Sequence, residues 1–159
     1  MELKLPELNL PAQKLKMRRC SDGTVQIFDA FRCKWVALTP EEWVRQNFSS
    51  WLCNEKKYVP SFMANEIGIS LNGTRRRCDT VVFDSNLKPL MIVEYKAPSV
   101  SITQPVFDQI ARYNIVLNAP YLTVSNGLSH YCCRYSGGSY AFLREIPDYD
   151  ALVGMSMKK

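Results

Sequence analysis

The chain has 159 residues, enough for one domain with a sizeable single core. Its 47% hydrophobic and 22% charged content excludes a disordered polymer. Lys and Arg outnumber Asp and Glu by 20 to 15, a balance that permits a polyanionic partner without requiring one.

Residues 1–12 carry Pro6 and Pro11 and no periodicity, so an irregular lead-in is expected. The start Met1-Glu2-Leu3-Lys4-Leu5-Pro6 has neither a long apolar run nor a small-residue cleavage site, so it does not read as a secretory signal. Three strand-like runs follow, Lys14–Arg19, Thr24–Asp29 and Lys34–Leu38, the first two joined through a turn at Ser21-Asp22-Gly23.

Thr39 is a good N-cap, Pro40 suits the first helical turn, and Glu42 stands three residues after the cap in a capping-box position. Val44, Phe48, Trp51 and Leu52 share one side at helical spacing, with Glu55 continuing the same line. The helix should end near Lys56 or Lys57, whose charges suit a C-terminus.

Strands are then expected over Met63–Leu71, Arg76–Asp84 and Pro89–Lys96, separated by Asn72-Gly73 and Ser85-Asn86. Pro98 opposes further sheet. A second helix from about Thr103 to Leu117 carries the stripe Val106, Ile110, Tyr113 and Leu117. Tyr121–Ser125 reads as a strand, Asn126-Gly127 as a hairpin signal before Leu128–Tyr135, and Gly137-Gly138 as a turn before Tyr140–Arg144. The last fifteen residues hold Pro147 and leave room for a short helix.

From Thr39 the order is helix, three strands, helix, strand, which specifies an α/β layer arrangement with a mixed sheet. The hairpins at both ends should extend that sheet. A single domain over 1–159 is expected, with its core at about 39–135. The strongest apolar stretch, Leu90–Val93, is far too short to cross a bilayer, so a cytoplasmic protein without membrane contact is expected.

Six cysteines stand at 20, 33, 53, 78, 132 and 133 with no C-x-x-C among them, and His130 is the single histidine. Reduced, mostly buried thiols are expected rather than a Cys/His zinc cage. Any histidine relay would have to run through His130, whose surroundings read as a strand and favour a structural role.

The segment that carries chemistry is Arg77-Cys78-Asp79-Thr80-Val81 followed by Ile92-Val93-Glu94-Tyr95-Lys96. Glu94 and Lys96 are two apart on one strand, so they point to the same face, roughly 6 to 7 Å apart. If the neighbouring strands pair through the turn near Ser85–Lys88, Asp79 falls opposite this region. Two carboxylates and an amine beside an apolar run are costly unless they serve each other or a metal. Asp and Glu oxygens suit Mg²⁺, with Mn²⁺ as a substitute, and such an ion can activate water and stabilise charge on a phosphate. Taken alone, Glu94 and Lys96 equally describe an ordinary surface ion pair. Gln109 and Tyr113, four apart on the second helix, share a face beside its apolar stripe.

The order Asp79, Glu94-Tyr95-Lys96, Gln109-Ile110-Ala111-Arg112-Tyr113 resembles the PD-(D/E)XK nuclease superfamily, whose RecB-like branch carries an aspartate, an E-x-K and a Q-x-x-x-Y in this order. More narrowly, the chain looks like the N-terminal nuclease domain of type I restriction enzyme R subunits. Arg77-x-Asp79, Val93–Pro98, the Gln109/Tyr113 helix, Leu122–Gly127 and Leu38–Gln46 carry that likeness, which runs from about residue 25 to 135. It implies a restriction-endonuclease-like αβββαβ core and metal-dependent hydrolysis of DNA, endonucleolytic ahead of exonucleolytic. Asp79 and Glu94 would be metal ligands, Lys96 and Gln109 would join them in the catalytic set, and Arg77 and Tyr113 would support it. A glutamate on the first helix would contribute too: Glu42 matches, as a site residue or merely a helix cap, and Glu66 is a weaker candidate.

The implied partner is DNA, with a homodimer and restriction-system or motor proteins as further candidates. No G-x-x-x-x-G-K-[ST] loop occurs in the 159 residues, so a free-standing relative, or one targeted by other proteins, is expected. The competing reading is a catalytically silent nucleic-acid-binding or interaction module that keeps the fold.

Overall fold

The computed structural model describes residues 4–157. Its elements are β1 (Met17–Arg19), β2 (Val25–Asp29), β3 (Lys34–Ala37), α1 (Pro40–Glu55), β4 (Met63–Leu71), β5 (Thr74–Phe83), β6 (Pro89–Tyr95), α2 (Gln104–Leu117), β7 (Tyr121–Ser125), β8 (His130–Ser136), β9 (Ser139–Phe142) and α3 (Tyr149–Met157). The expected mixed α/β architecture is present. Six strands in the order β4-β5-β6-β7-β8-β9 form a sheet in which only β6 and β7 run parallel, joined by the α2 crossover.

One expectation is corrected. The C-terminal hairpin β8–β9 does extend the sheet, but β1, β2 and β3 form a separate three-stranded antiparallel sheet. The alternation within those strands is real, yet their partners are set by long-range contacts that local pattern does not encode. Asn65 of β4 donates to Asp29 at the end of β2 at 3.2 Å, which ties the small sheet to the large one.

The large sheet is buried on both sides. Along β6, Met91, Val93 and Tyr95 pack with α1 residues Val44, Phe48 and Leu52 and with α3 residues Tyr149 and Leu152. Ile92 points the other way, into a layer with Val81, Leu122 and the α2 residues Phe107, Ile110 and Tyr113. On α2, Phe107 is buried where Val106 was expected to be; Val106 packs at the margin.

Thr39 caps α1 by accepting the Glu42 N–H at 3.0 Å, and Lys56 ends it as expected. The irregular lead-in is docked: the Asn9 N–H donates to the Gly127 carbonyl at 2.8 Å and Trp43 Nε1 to the Pro6 carbonyl at 3.0 Å. Gly127 has φ +84°, and a Cβ there would meet Leu8 Cδ2 at 2.6 Å, so both backbone and space require glycine. His130 is held between the Ser125 hydroxyl (2.7 Å) and the Asn9 carbonyl (2.9 Å). All six cysteines are free thiols, with Cys78, Cys132 and Cys133 buried. Among the described residues, no helix is long and apolar enough to cross a membrane.

Candidate active site

The β5–β6 ladder runs from Phe83–Pro89, through a bulge at Val82/Phe83, to Thr80–Val93 and goes no further. Two residues beyond Val93, the Tyr95 N–H donates to Asp79 Oδ2 at 2.9 Å. A side-chain carboxylate thus stands where a backbone carbonyl would continue the sheet, and the two strands separate there. Glu94 lies next to Tyr95 on the face that Ile92 occupies. Lys96 follows just past the strand, its N–H held by the Ser125 carbonyl at 2.9 Å and its Nζ 3.7 Å from Glu94 Oε1. Asp79 and Glu94 are each 8% exposed, and Lys96 is half-buried. The three residues singled out from sequence therefore converge on one split in the sheet.

Arg45, on α1, is the hub of the surrounding network. It is 3% exposed and reaches Glu42 Oε2 at 2.5 Å, Glu66 Oε1 at 2.7 Å and Asp79 Oδ1 at 3.1 Å. Hydrogen bonds close a ring around it. Tyr95 Oη meets Thr80 Oγ1 (2.9 Å), which donates to Asn65 Oδ1 (2.6 Å). Asn65 donates to Asp29, Arg32 bridges Asp29 and Glu42, and Arg45 bridges Glu42 and Asp79, whose other oxygen returns to the Tyr95 backbone. Glu66 also departs from regular backbone: its φ is +59° in the middle of β4, and the β4–β5 pairing skips from Asn65–Thr80 to Ile67–Cys78 around it.

A family model for the type I restriction enzyme R protein N terminus (HSDR_N) matches residues 40–147. The chain belongs to this family. The match begins at α1 and leaves the β1–β3 sheet outside it. A fragment of a protein described as an HsdR subunit of a type I restriction enzyme from Vibrio vulnificus YJ016 shares the fold, with a TM-score of 0.57 and 18% identity. That likeness covers 74% of this chain but only 25% of the other, so the chain spans about a quarter of that relative's length. No curated protein matches the chain.

In this HSDR_N chain the electrostatics of the split are unusual. Burial, and then the Asp79 charge, push the Glu94 carboxyl up to about 8, with Lys96 pulling it down. Burial also raises Asp79, opposed by the Tyr95 N–H and Arg45. Burial alone would lower Arg45, but Asp79, Glu42 and Glu66 outweigh it and the net shift is upward. Among the described residues, Glu94 Oε2 is buried without a hydrogen-bond partner. A carboxylate oxygen left without a donor, facing a second carboxylate, fits a divalent cation. Those residues hold no all-protein cage of three or more His, Cys, Asp or Glu. Mg²⁺ needs none, because it is commonly held by one or two carboxylates and water.

The other expected site residues are distributed as follows. Glu42 is not a reciprocal capping-box partner: Thr39 performs its half, while the Glu42 carboxylate accepts from Arg32, Arg45 and Gln46. Its neighbour Glu41 is exposed on the side of the cleft bounded by Thr39, Pro40, Glu42, Arg45, Glu66 and Ala97, a volume of about 430 Å³. Partial desolvation and then Asp79 raise the Glu41 carboxyl. Arg77 is exposed and reaches Glu66 Oε2 at 3.4 Å. Gln109 Nε2 donates to Tyr113 Oη at 2.9 Å, and among the described residues neither makes a hydrogen bond to Asp79, Glu94 or Lys96. Sequence reasoning missed Arg45, Asn65 and Glu41. A signal for Arg45 exists: Glu42, Arg45, Gln46 and Ser49 form a polar stripe at helical spacing, and all four are buried.

Proposed function

We propose that this chain is a metal-dependent nuclease module that hydrolyses DNA phosphodiester bonds at the Asp79–Glu94–Lys96 split. The observation that carries the reading is Glu94: a buried carboxylate with an unpartnered oxygen, beside Asp79 and within 3.7 Å of the Lys96 ammonium. Asp79 and Glu94 would hold Mg²⁺, or Mn²⁺ in its place, and the ion when bound would supply positive charge at the phosphate. Lys96 orients the attacking water and offsets negative charge that develops on the phosphate oxygens. Arg45 and the Tyr95 N–H fix the Asp79 carboxylate so that its geometry is set before substrate arrives. Endonucleolytic cleavage, and collaboration with motor or specificity proteins of a restriction system, are suggested by likeness to the family and belong to the same proposal. So does pairing of two copies for double-strand cleavage.

One observation favours a second reading. Arg45 already gives Glu42, Glu66 and Asp79 a cation, as it would in a module that binds nucleic acid without cutting it. Incubation with supercoiled plasmid and linear single-stranded DNA in Mg²⁺, Mn²⁺ or EDTA, beside Lys96→Ala, decides between them. Cleavage that requires metal and disappears in the variant supports the nuclease. Absence of cleavage together with absence of calorimetric Mn²⁺ binding supports the silent module.

A further inference from the structure

A second cleft is larger than the one at the carboxylates. It encloses about 650 Å³ between the β4–β5 hairpin and the small N-terminal sheet, and is lined by Arg32, Lys34, Asn65, Glu66, Gly68, Ile69, Ser70 and the run Arg75-Arg76-Arg77. Five of its side chains are cationic and one is anionic, so the cleft presents a strong local excess of positive charge on one concave surface. Arg32 is neutralised by Asp29 and Glu42, and Glu66 is taken by Arg45 and Arg77. Among the described residues, Lys34, Arg75 and Arg76 have no ion-pair partner, although they lie close enough to share a wall. Like charges held together without counter-charge oppose folding unless a polyanion binds there.

Two further observations point to a phosphate backbone as that polyanion. Gly68 sits in β4 directly across from Arg77, and a Cβ built on it would meet nothing within 4 Å. A bare backbone in the interior of a strand, open to solvent on that side, leaves room for another chain to approach closely. Second, the arginine run lies on β5, the strand that carries Asp79. Along an extended strand Arg77 is roughly 7 Å and Arg75 roughly 13 Å from Asp79, and Glu66 lines both this cleft and the smaller one at the carboxylates.

We infer that the β3/β4–β5 cleft binds the phosphodiester backbone of a nucleic-acid strand and leads it along β5 to the Asp79–Glu94–Lys96 split. Arg75 and Lys34 contact phosphates on the face that Gly68 leaves open, and Arg76 adds its charge from the rim of the cleft. The N-terminal sheet then has a role: it supplies the wall carrying Lys34, and this sheet lies outside the part of the chain that matches the family. The inference rests on the nuclease reading only for where the strand leads; binding in the cleft stands separately.

The test is fluorescence anisotropy in EDTA, with short labelled single-stranded and duplex DNA and RNA of the same sequence, across a salt series. Arg75→Glu/Arg76→Glu and Gly68→Val are compared with wild type and with Lys88→Glu/Arg144→Glu, which makes the same change of net charge as the arginine pair at exposed sites on other edges of the protein. Every altered residue is exposed, and coincident thermal transitions verify folding. The cleft variants should bind about tenfold more weakly or worse, while the control pair stays close to wild type. The slope of log affinity against log salt should drop by about 0.9 for each duplex phosphate that a charge-reversed variant no longer neutralises, or about 0.7 on single strands. The DNA and RNA arms show which nucleic acid fits better. Cleft variants that bind like the control pair overturn the inference, as does a wild type that binds no nucleic acid at low salt, or one from which polyglutamate displaces DNA charge for charge. Because EDTA prevents metal-dependent cleavage, the two readings separate. Binding through the cleft without cleavage under Mg²⁺ or Mn²⁺ contradicts the nuclease reading alone; cleavage that is indifferent to Arg75, Arg76 and Gly68 contradicts the cleft alone.

Discussion

Asp79 Oδ2 accepts the Tyr95 N–H at 2.9 Å, so a carboxylate completes the edge of β6 at the point where β5 leaves it. Both oxygens of Asp79 are thereby fixed, Oδ1 by Arg45 and Oδ2 by the backbone beside Glu94. The separation of the strands and the placement of the acidic pair are one event.

Arg45 is the residue on which this arrangement depends most. Replacing it by Ala leaves Glu42, Glu66 and Asp79 without the cation they share in a largely buried place. Removal of one member of such a buried ion network costs about 3–5 kcal/mol. Arg45→Lys should recover only part of that, since a single ammonium cannot address three carboxylates as a planar guanidinium does. Urea denaturation of wild type, Arg45→Ala and Arg45→Lys checks the order; a loss below about 1 kcal/mol for the alanine variant contradicts the hub role.

Stability in EDTA should depend on pH through Glu94. Its carboxyl stands near 4.5 in the unfolded chain and is pushed up to about 8 in the fold. Between those values the folded state holds a proton that the unfolded state has released. The contribution is complete below about pH 4.5, shrinks across the interval at up to about 1.4 kcal/mol per pH unit, and is gone above pH 8. Glu94→Gln lacks the titrating group. It should match wild type near pH 5 and be the more stable of the two by several kcal/mol near pH 9, as read from denaturation midpoints. Parallel pH curves for the two proteins would contradict the assignment.

Glu66 combines an ion pair with a backbone conformation that non-glycine residues avoid. Glu66→Ala and Glu66→Gly both remove the carboxylate, but only glycine accepts φ +59° without strain. The glycine variant should therefore be the more stable of the two by about 1 kcal/mol, reversing the order seen in an ordinary strand, where alanine is preferred. Chemical denaturation of the pair measures the difference directly.

The sequence made much of this legible, and the exceptions have physical causes. Thr39-Pro40 set the start of α1, and Asn72-Gly73 separated β4 from β5. The i, i+2 spacing of Glu94 and Lys96 put both at the end of a buried strand, because strand periodicity is local information. Arg45 was overlooked because a charged helical residue ordinarily faces water, and only tertiary contacts with β4 and β5 turn it inward. The separate N-terminal sheet and the turned backbone of Glu66 depend on which strands meet, and alternation along one strand does not specify its neighbour.

The most direct test of the central claim is single-turnover cleavage of end-labelled DNA with Mn²⁺ or Mg²⁺ by wild type, Asp79→Asn, Glu94→Gln and Lys96→Ala, each first shown to fold. The account predicts metal-dependent cleavage by wild type, and a rate reduced about a hundredfold or more in each variant, the scale expected for loss of a group that stabilises charge in the transition state. Wild-type cleavage that persists in EDTA, or that survives Glu94→Gln and Lys96→Ala undiminished, would contradict it.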